Sequence, residues 1–206
     1  MKELLSRYPA LQGLEKEIST ALNLMLNCYN NGGKILLIVN GGASADCDHI
    51  AGELLKNFYI ERPIDSDFYK TLSNISLSAG DTANKLQKGV PCINLTAFNS
   101  AITALGNDVG YEYTFAQLFY SLYKPNDILI AFTTSGTSQN VIKALEVAKA
   151  LNSKTITFTG KNGILNKNLS TVDINVPETE TYKAQELFIP IYHYLCKEIE
   201  RILFKE

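Results

Sequence analysis

No run of apolar residues in this 206-residue chain approaches the ~20 that a membrane-spanning helix needs. No basic run stands out either. The 19 Lys and Arg are offset by 21 Asp and Glu, for a formal charge of -2, so there is no electrostatic ground for a nucleic-acid partner. Cysteine is sparse: Cys28, Cys47, Cys92 and Cys196 are widely separated and form no CxxC pair, which excludes a structural-zinc pattern. They are expected to be reduced and buried as small apolar residues. The opening stretch, "MKELLSRYPALQGLEKEI", has polar residues every few positions and lacks the apolar centre of a signal peptide, so the expected location is the cytoplasm. There is no internal repeat, linker or low-complexity segment, and the expectation is one domain over 1–206.

What is present is the composition of a folded protein, with 46% hydrophobic and 19% charged residues. Leu4, Leu11, Leu14, Ile18, Leu22, Met25 and Leu26 recur at helical spacing and predict a first helix over roughly 3–31, stopped by "NNGG". "KILLIV" is a continuous β-prone run, the mark of a strand buried on both faces. A helical pattern then runs from Ser44 to Phe58, with Ile50, Leu54 and Phe58 on one face. The segment from Ile60 to Val90 has no strong period and is read as a mostly helical insertion.

"PCINLTAF" predicts a second strand, with helical material from Ser100 to Tyr123 after it. "PNDILIAFTTSG" is a turn and a third strand, and "SQNVIKALEVAKAL" is a helix with a polar start. "SKTITFTG" and "TVDINVPE" supply strands four and five, and a long helix from Thr181 to Leu203 closes the chain. Strands alternating with helices imply right-handed crossovers and an α/β fold, a mainly parallel five-stranded sheet covered on both faces. Ligands bind such sheets beyond the carboxyl ends of the strands, and two of those ends here are "NGGAS" and "TTSGTS".

In "TTSGTSQN", Thr133 to Asn140, hydroxyl side chains surround Gly136 just before a helix. Helix-start N–H groups plus hydroxyls make an uncharged cradle for a phosphate or carboxylate, although Ser138 could equally be no more than the N-cap. Neither the Walker loop nor the dinucleotide fingerprint is present, which disfavours ATP and NAD. The chain has only two histidines. His49 and Glu53 are four apart and share a helix face; His193 lies on the last helix, eight residues after Gln185 and on a similar side. Two nitrogen donors with a carboxylate suit zinc or another divalent ion, with an amide oxygen or water in the fourth position; each His could instead be an ordinary hydrogen-bonded residue.

"NGGASADCDHIAGEL", "LTAFNSAITALGNDVGYEYTFAQ", "DILIAFTTSGTSQNVIKALEVAK", "TITFTGKNG" and "VPETETYKAQELFIPIYHYLC" together span most of 34–200 and resemble, in order, the bacterial phosphoheptose isomerase family of sugar-isomerase (SIS) domains. The resemblance implies a three-layer, flavodoxin-like SIS fold that converts sedoheptulose 7-phosphate to D-glycero-D-manno-heptose 7-phosphate for surface glycans. It implies a Zn2+ held by His49, Glu53, Gln185 and His193, with Glu53 and His193 as the acid/base pair. The implied substrate contacts are Asn40, Gly41, Gly42, Ser44, Asn107, Asp108, Thr133, Thr134, Ser135, Ser138 and Gln185. It further implies a homotetramer with shared active sites.

The chain departs from the family pattern at four places. Ala43 stands where a substrate-contacting Ser is expected, with Ser44 one place later, a shift that swings the hydroxyl by about 100°. Asn57 replaces an Arg, Phe98 an Asp and Phe188 a His. Two alternatives follow: a non-catalytic SIS protein that binds a sugar phosphate or a protein partner, as relatives that bind the replication initiator DnaA do, or an isomerase of another phosphosugar.

Overall fold

The computed structural model describes residues 1–204. Its core is a five-stranded sheet, all parallel, in the order β2-β1-β3-β4-β5, with β1 Ile35–Val39, β2 Cys92–Asn94, β3 Ile128–Thr133, β4 Lys154–Thr159 and β5 Val172–Asn175. The chain leaves β1 for β2 on one side and returns for β3 on the other. The strand order therefore reverses between β1 and β3, the place where such sheets open a crevice at their carboxyl ends.

Alternation along each strand divides the interior in two. Ile35, Leu37 and Val39 of β1, with Ile130 and Phe132 of β3, face one core. That core is completed by helices α1 (Lys2–Arg7), α2 (Glu15–Asn30), α3 (Ser44–Leu55) and α9 (Thr181–Phe204). Leu36 and Ile38 face the other core with Leu129 and Ala131, under α7 (Thr114–Leu122) and α8 (Gln139–Ala150). All five residues of β1 are buried, as a strand covered on both faces requires.

Several boundaries differ from the sequence expectation. The first helix is two, because Pro9 starts a 3-10 turn and Gly13 takes φ +92° between them. Helix α3 ends at Leu55, not Phe58. There Arg62 turns back on the helix end, donating to the carbonyls of Leu54 (2.8 Å) and Glu53 (3.2 Å) and satisfying acceptors that another turn of helix would have used. The insertion is two short helices, α4 (Ser66–Ser73) and α5 (Leu77–Ala83), tied at its base by an antiparallel bridge between Pro63 and Gln87.

The second strand stops at Asn94, whose side chain accepts from the Thr96 amide at 2.9 Å and opens a 3-10 turn. Gly110, at φ +119°, separates α6 (Asn99–Asp108) from α7. No helix among the described residues is long and apolar enough to cross a membrane.

Candidate active site

Val39 and Thr133 end the two strands at the switch point, and a cavity of about 180 Å3 lies beyond them. Its polar lining is Asn40, Thr133, Thr134, Ser138, Thr181 and Gln185; its apolar lining is Val39, Ala43, Phe132 and Phe188. No charged side chain lines it. An anion there would meet hydroxyls, amides and the start of the twelve-residue helix α8.

Ser138 is the N-cap position of α8, yet its side chain makes no capping bond and its Oγ instead accepts from Thr133 Oγ1 at 3.2 Å. Gly136 has φ +70°, and a Cβ on it would meet the Gly163 carbonyl oxygen at 1.9 Å, so only glycine lets the two loops approach this closely. Asn40 is held by Asn140, a residue for which sequence reasoning assigned no role. The two amides exchange hydrogen bonds at 2.9 and 2.7 Å, and Tyr111 donates to Asn40 Oδ1 at 3.2 Å.

The second part of the site is a histidine and carboxylate cluster between α3 and α9. His49 Nε2 lies 3.4 Å from Glu53 Oε1 and 3.4 Å from His193 Nε2. Lys56 Nζ is 3.4 Å from the other oxygen of Glu53. Burial first, then the neighbouring His49, holds the His193 imidazole below its ordinary range against the opposing pull of Glu53 and Asp46. The ring is therefore neutral near pH 7, the state able to take a proton or ligate a metal. Phe58 packs on the same ring at a centroid distance of 6.2 Å.

The donor set can be tested against zinc. Two donors 2.0–2.1 Å from a tetrahedral ion stand about 3.3–3.4 Å apart. Both contacts of His49 Nε2 have that length, and the chemistry, two imidazoles and a carboxylate, is that of zinc sites. The expected four-ligand set is nevertheless not assembled around one point. Among the described residues no group of three or more His, Cys, Asp and Glu is arranged to hold a metal, and Gln185 faces the cavity with Thr133.

Of the implied substrate contacts, the cavity gathers Asn40, Thr133, Thr134, Ser138 and Gln185. It does not gather the others. Gly41 and Gly42 are exposed, although Gly41 takes φ +69° in the turn after β1. Ser135 is exposed and accepts from the Thr137 amide at 3.2 Å. Asn107 and Asp108 bond one another at the exposed end of α6. Ser44 is outside the lining because α3 begins there; Ala43, one residue earlier, is the one buried against the cavity.

Phe188 fills the wall beside Phe132 and Phe158 at centroid distances of 5.8 and 5.6 Å. All four cysteines are buried as expected, and burial pushes their thiols up, Cys28 to about 11 and Cys196 to about 12. A further cleft, at the amino ends of the strands beside Asn27 and Lys154, offers no comparable convergence. Its one carboxylate, Asp127, already accepts from the Lys34 and Lys124 amides at 2.8 and 2.6 Å.

A parallel sheet with a hydroxyl-rich, uncharged cavity at its switch point is the architecture of a sugar-isomerase (SIS) domain, and the SIS domain family matches residues 75–160. The phosphoheptose isomerase of Helicobacter pylori (strain ATCC 700392 / 26695) is 36% identical over 200 residues, 97% of this chain and 90% of that protein. The solved phosphoheptose isomerase of Francisella tularensis superposes with a TM-score of 0.77 at 28% identity, covering 96% of this chain and 92% of that one. The Neisseria gonorrhoeae structure gives 0.73 at 29%, with coverages of 97% and 94%. The chain belongs to the phosphoheptose isomerase family.

Proposed function

We propose that the protein interconverts sedoheptulose 7-phosphate and D-glycero-D-manno-heptose 7-phosphate. The observation that carries this reading is the approach of His49, Glu53 and His193 within 3.4 Å contacts in a chain of this family. The reaction moves a proton between C1 and C2 through an enediol(ate). It needs a base at carbon, an acid at the carbonyl oxygen and stabilisation of the oxyanion. Glu53 and His193 supply the acid/base pair and exchange roles between the two half-steps. The phosphate is held by Thr133, Thr134 and Ser138, and its binding energy orients the reacting end of the sugar.

His49, Glu53, His193 and Gln185 would hold a Zn2+, which when bound polarises the sugar oxygens. A Glu that ligates zinc tightly is a weaker base, so the two duties of Glu53 would compete, and zinc would serve there either as a partly structural ion or with Glu53 as a ligand free to leave it. The assembly is a homotetramer with shared active sites, working in the cytoplasm to supply activated heptose for surface glycans. A neighbouring subunit would then provide the cation that the cavity lacks.

The test is incubation of purified protein with sedoheptulose 7-phosphate, with and without added zinc, and detection of the aldose product by NMR. Product is expected, and Glu53→Gln or His193→Ala should lower kcat by about 10²- to 10⁴-fold. No aldose at micromolar enzyme with zinc supplied overturns the reading. Full activity in both variants overturns the acid/base assignment.

A further inference from the structure

Strand β5 alternates. Val172 and Ile174 point into the core shared with α9, while Asp173 and Asn175 face the other way, half-buried beside two threonines of β4. Thr157 pairs with Asp173 and Thr159 with Asn175, and both threonines are fully buried. Their hydroxyls donate to Asp173 Oδ1 at 2.7 and 2.8 Å. Among the described residues no lysine or arginine forms an ion pair with this carboxylate. Its second oxygen accepts instead from the Ile164 amide, at 3.1 Å, in the loop that follows β4. Asn175 completes the grip, donating to the Gly160 carbonyl at the start of that loop and to Thr159 Oγ1 at 3.4 Å.

The loop so held is a tight turn, in which the Gly163 amide returns to the Gly160 carbonyl at 2.9 Å with Gly163 at φ +71°. Its other side braces the Ser/Thr loop of the cavity. The Gly160 amide donates to the Thr134 carbonyl at 3.1 Å, and the Leu165 amide to the Gly136 carbonyl at 3.0 Å. Thr134 lines the cavity, and its hydroxyl reaches Thr181 Oγ1, at the first residue of α9, at 3.4 Å.

We propose that Asp173, with Asn175, is a positioning residue for the anion cavity: the two side chains clamp the turn 160–165 to β5, and that turn sets the backbone of Thr134 to Gly136. Neither residue lines the cavity, so neither touches the anion. The role rests on the phosphate reading of the cavity for its purpose, but not for its geometry. A carboxylate suits the task because it can only accept, three donors converge on it, and a bond to a charged group is about twice as strong as one to a neutral group. Donors held in place beforehand bind an anion without the cost of being ordered by it.

Asp173→Asn keeps the side-chain shape and loses the charge and one acceptor. Asn175→Ala releases the Gly160 carbonyl. Thr155→Val, on the same strand, removes a buried hydroxyl that bonds Leu169 and Thr171 and leaves the turn alone, so it controls for general destabilisation. With sedoheptulose 7-phosphate, KM should rise about 10-fold in Asp173→Asn while kcat changes less than about 2-fold, and Thr155→Val should show no such split. Inorganic phosphate, titrated as a protectant in thermal melts, should be needed at about 10-fold higher concentration in Asp173→Asn and Asn175→Ala for the same rise in Tm. An unchanged KM and phosphate requirement in both variants, or the same split in Thr155→Val, overturns the positioning role. An unmodified protein that phosphate does not protect and that does not turn over the sugar overturns the phosphate reading instead. Hydrogen exchange then decides the clamp by itself: the Ile164 and Leu165 amides should exchange faster in Asp173→Asn than in Thr155→Val, and equal rates overturn it.

Discussion

Arg62 and Glu200 form an ion pair with side-chain exposures of 0% and 1%, at an Nε to Oε1 distance of 2.9 Å. Neither charge is left to find water. Glu200 also accepts the amides of Phe58 and Tyr59, both at 2.6 Å, and of Ile60 at 3.1 Å, while Arg62 closes the end of α3. The Phe204 ring lies 4.8 Å from the guanidinium carbon and completes the enclosure. The pair therefore fixes the turn that carries Phe58 against His193 and the last turn of the helix that carries Glu53.

Breaking that pair from one side is expected to be severe. Glu200→Ala leaves a buried guanidinium and three amides without their acceptor, at a cost of about 3–5 kcal/mol. That is a large part of the total stability of a typical domain, about 5–15 kcal/mol. Urea unfolding followed by circular dichroism measures it, and a loss below about 1 kcal/mol would show that water reaches the site.

The same residue gives the fold a pH dependence of defined sign. Burial alone would raise the Glu200 carboxyl, but the Phe58 and Tyr59 amides and Arg62 outweigh it and hold it below its ordinary 4.5. A carboxyl lowered in the folded state contributes stability that is complete above the unfolded-state value and lost as pH falls through the folded one. Urea midpoints taken from pH 7 downward should therefore decline below about pH 4.5. The decline should be shallower in Glu200→Gln; equal slopes in the two proteins would assign the acid sensitivity elsewhere.

Gly136→Ala tests the anion cradle. Its backbone φ of +70° and the 1.9 Å approach to the Gly163 oxygen force one loop to move. Stability should fall by more than about 1 kcal/mol. With the phosphate bound in the cavity as proposed, the Michaelis constant for the sugar phosphate should rise more than kcat falls, because the loop would hold the non-reacting end of the sugar. Steady-state kinetics with thermal melts checks both, and an unchanged Michaelis constant would remove the loop from phosphate binding.

Much of this was legible in the residues. "KILLIV" and "DILIAFTT" announce buried strands because both faces of a parallel sheet need apolar side chains. His49 and Glu53 share a face because four residues make little more than one helical turn. The Ser/Thr run around Gly136 marks a loop that can come close to an anion. The element boundaries were harder. Phe58 continues the apolar period of α3, and only Arg62, folding back from eight residues beyond Leu54, ends the helix before it.

The sequence by itself determined the layers, the strand order's raw material and the local spacing of the reactive groups, since each depends on neighbours along one element. The tertiary structure decided which groups meet. His193 reaches His49 across 144 residues, Tyr192 reaches Asp46 across 146, and Arg62 reaches Glu200 across 138. It also decided that Ala43, not Ser44, faces the cavity, and that Gln185 lines it with Thr133. The physical reason is that spacing fixes angles within a helix, whereas the height and rotation of α9 against α3 follow from many buried side chains packing together. No single motif encodes that sum.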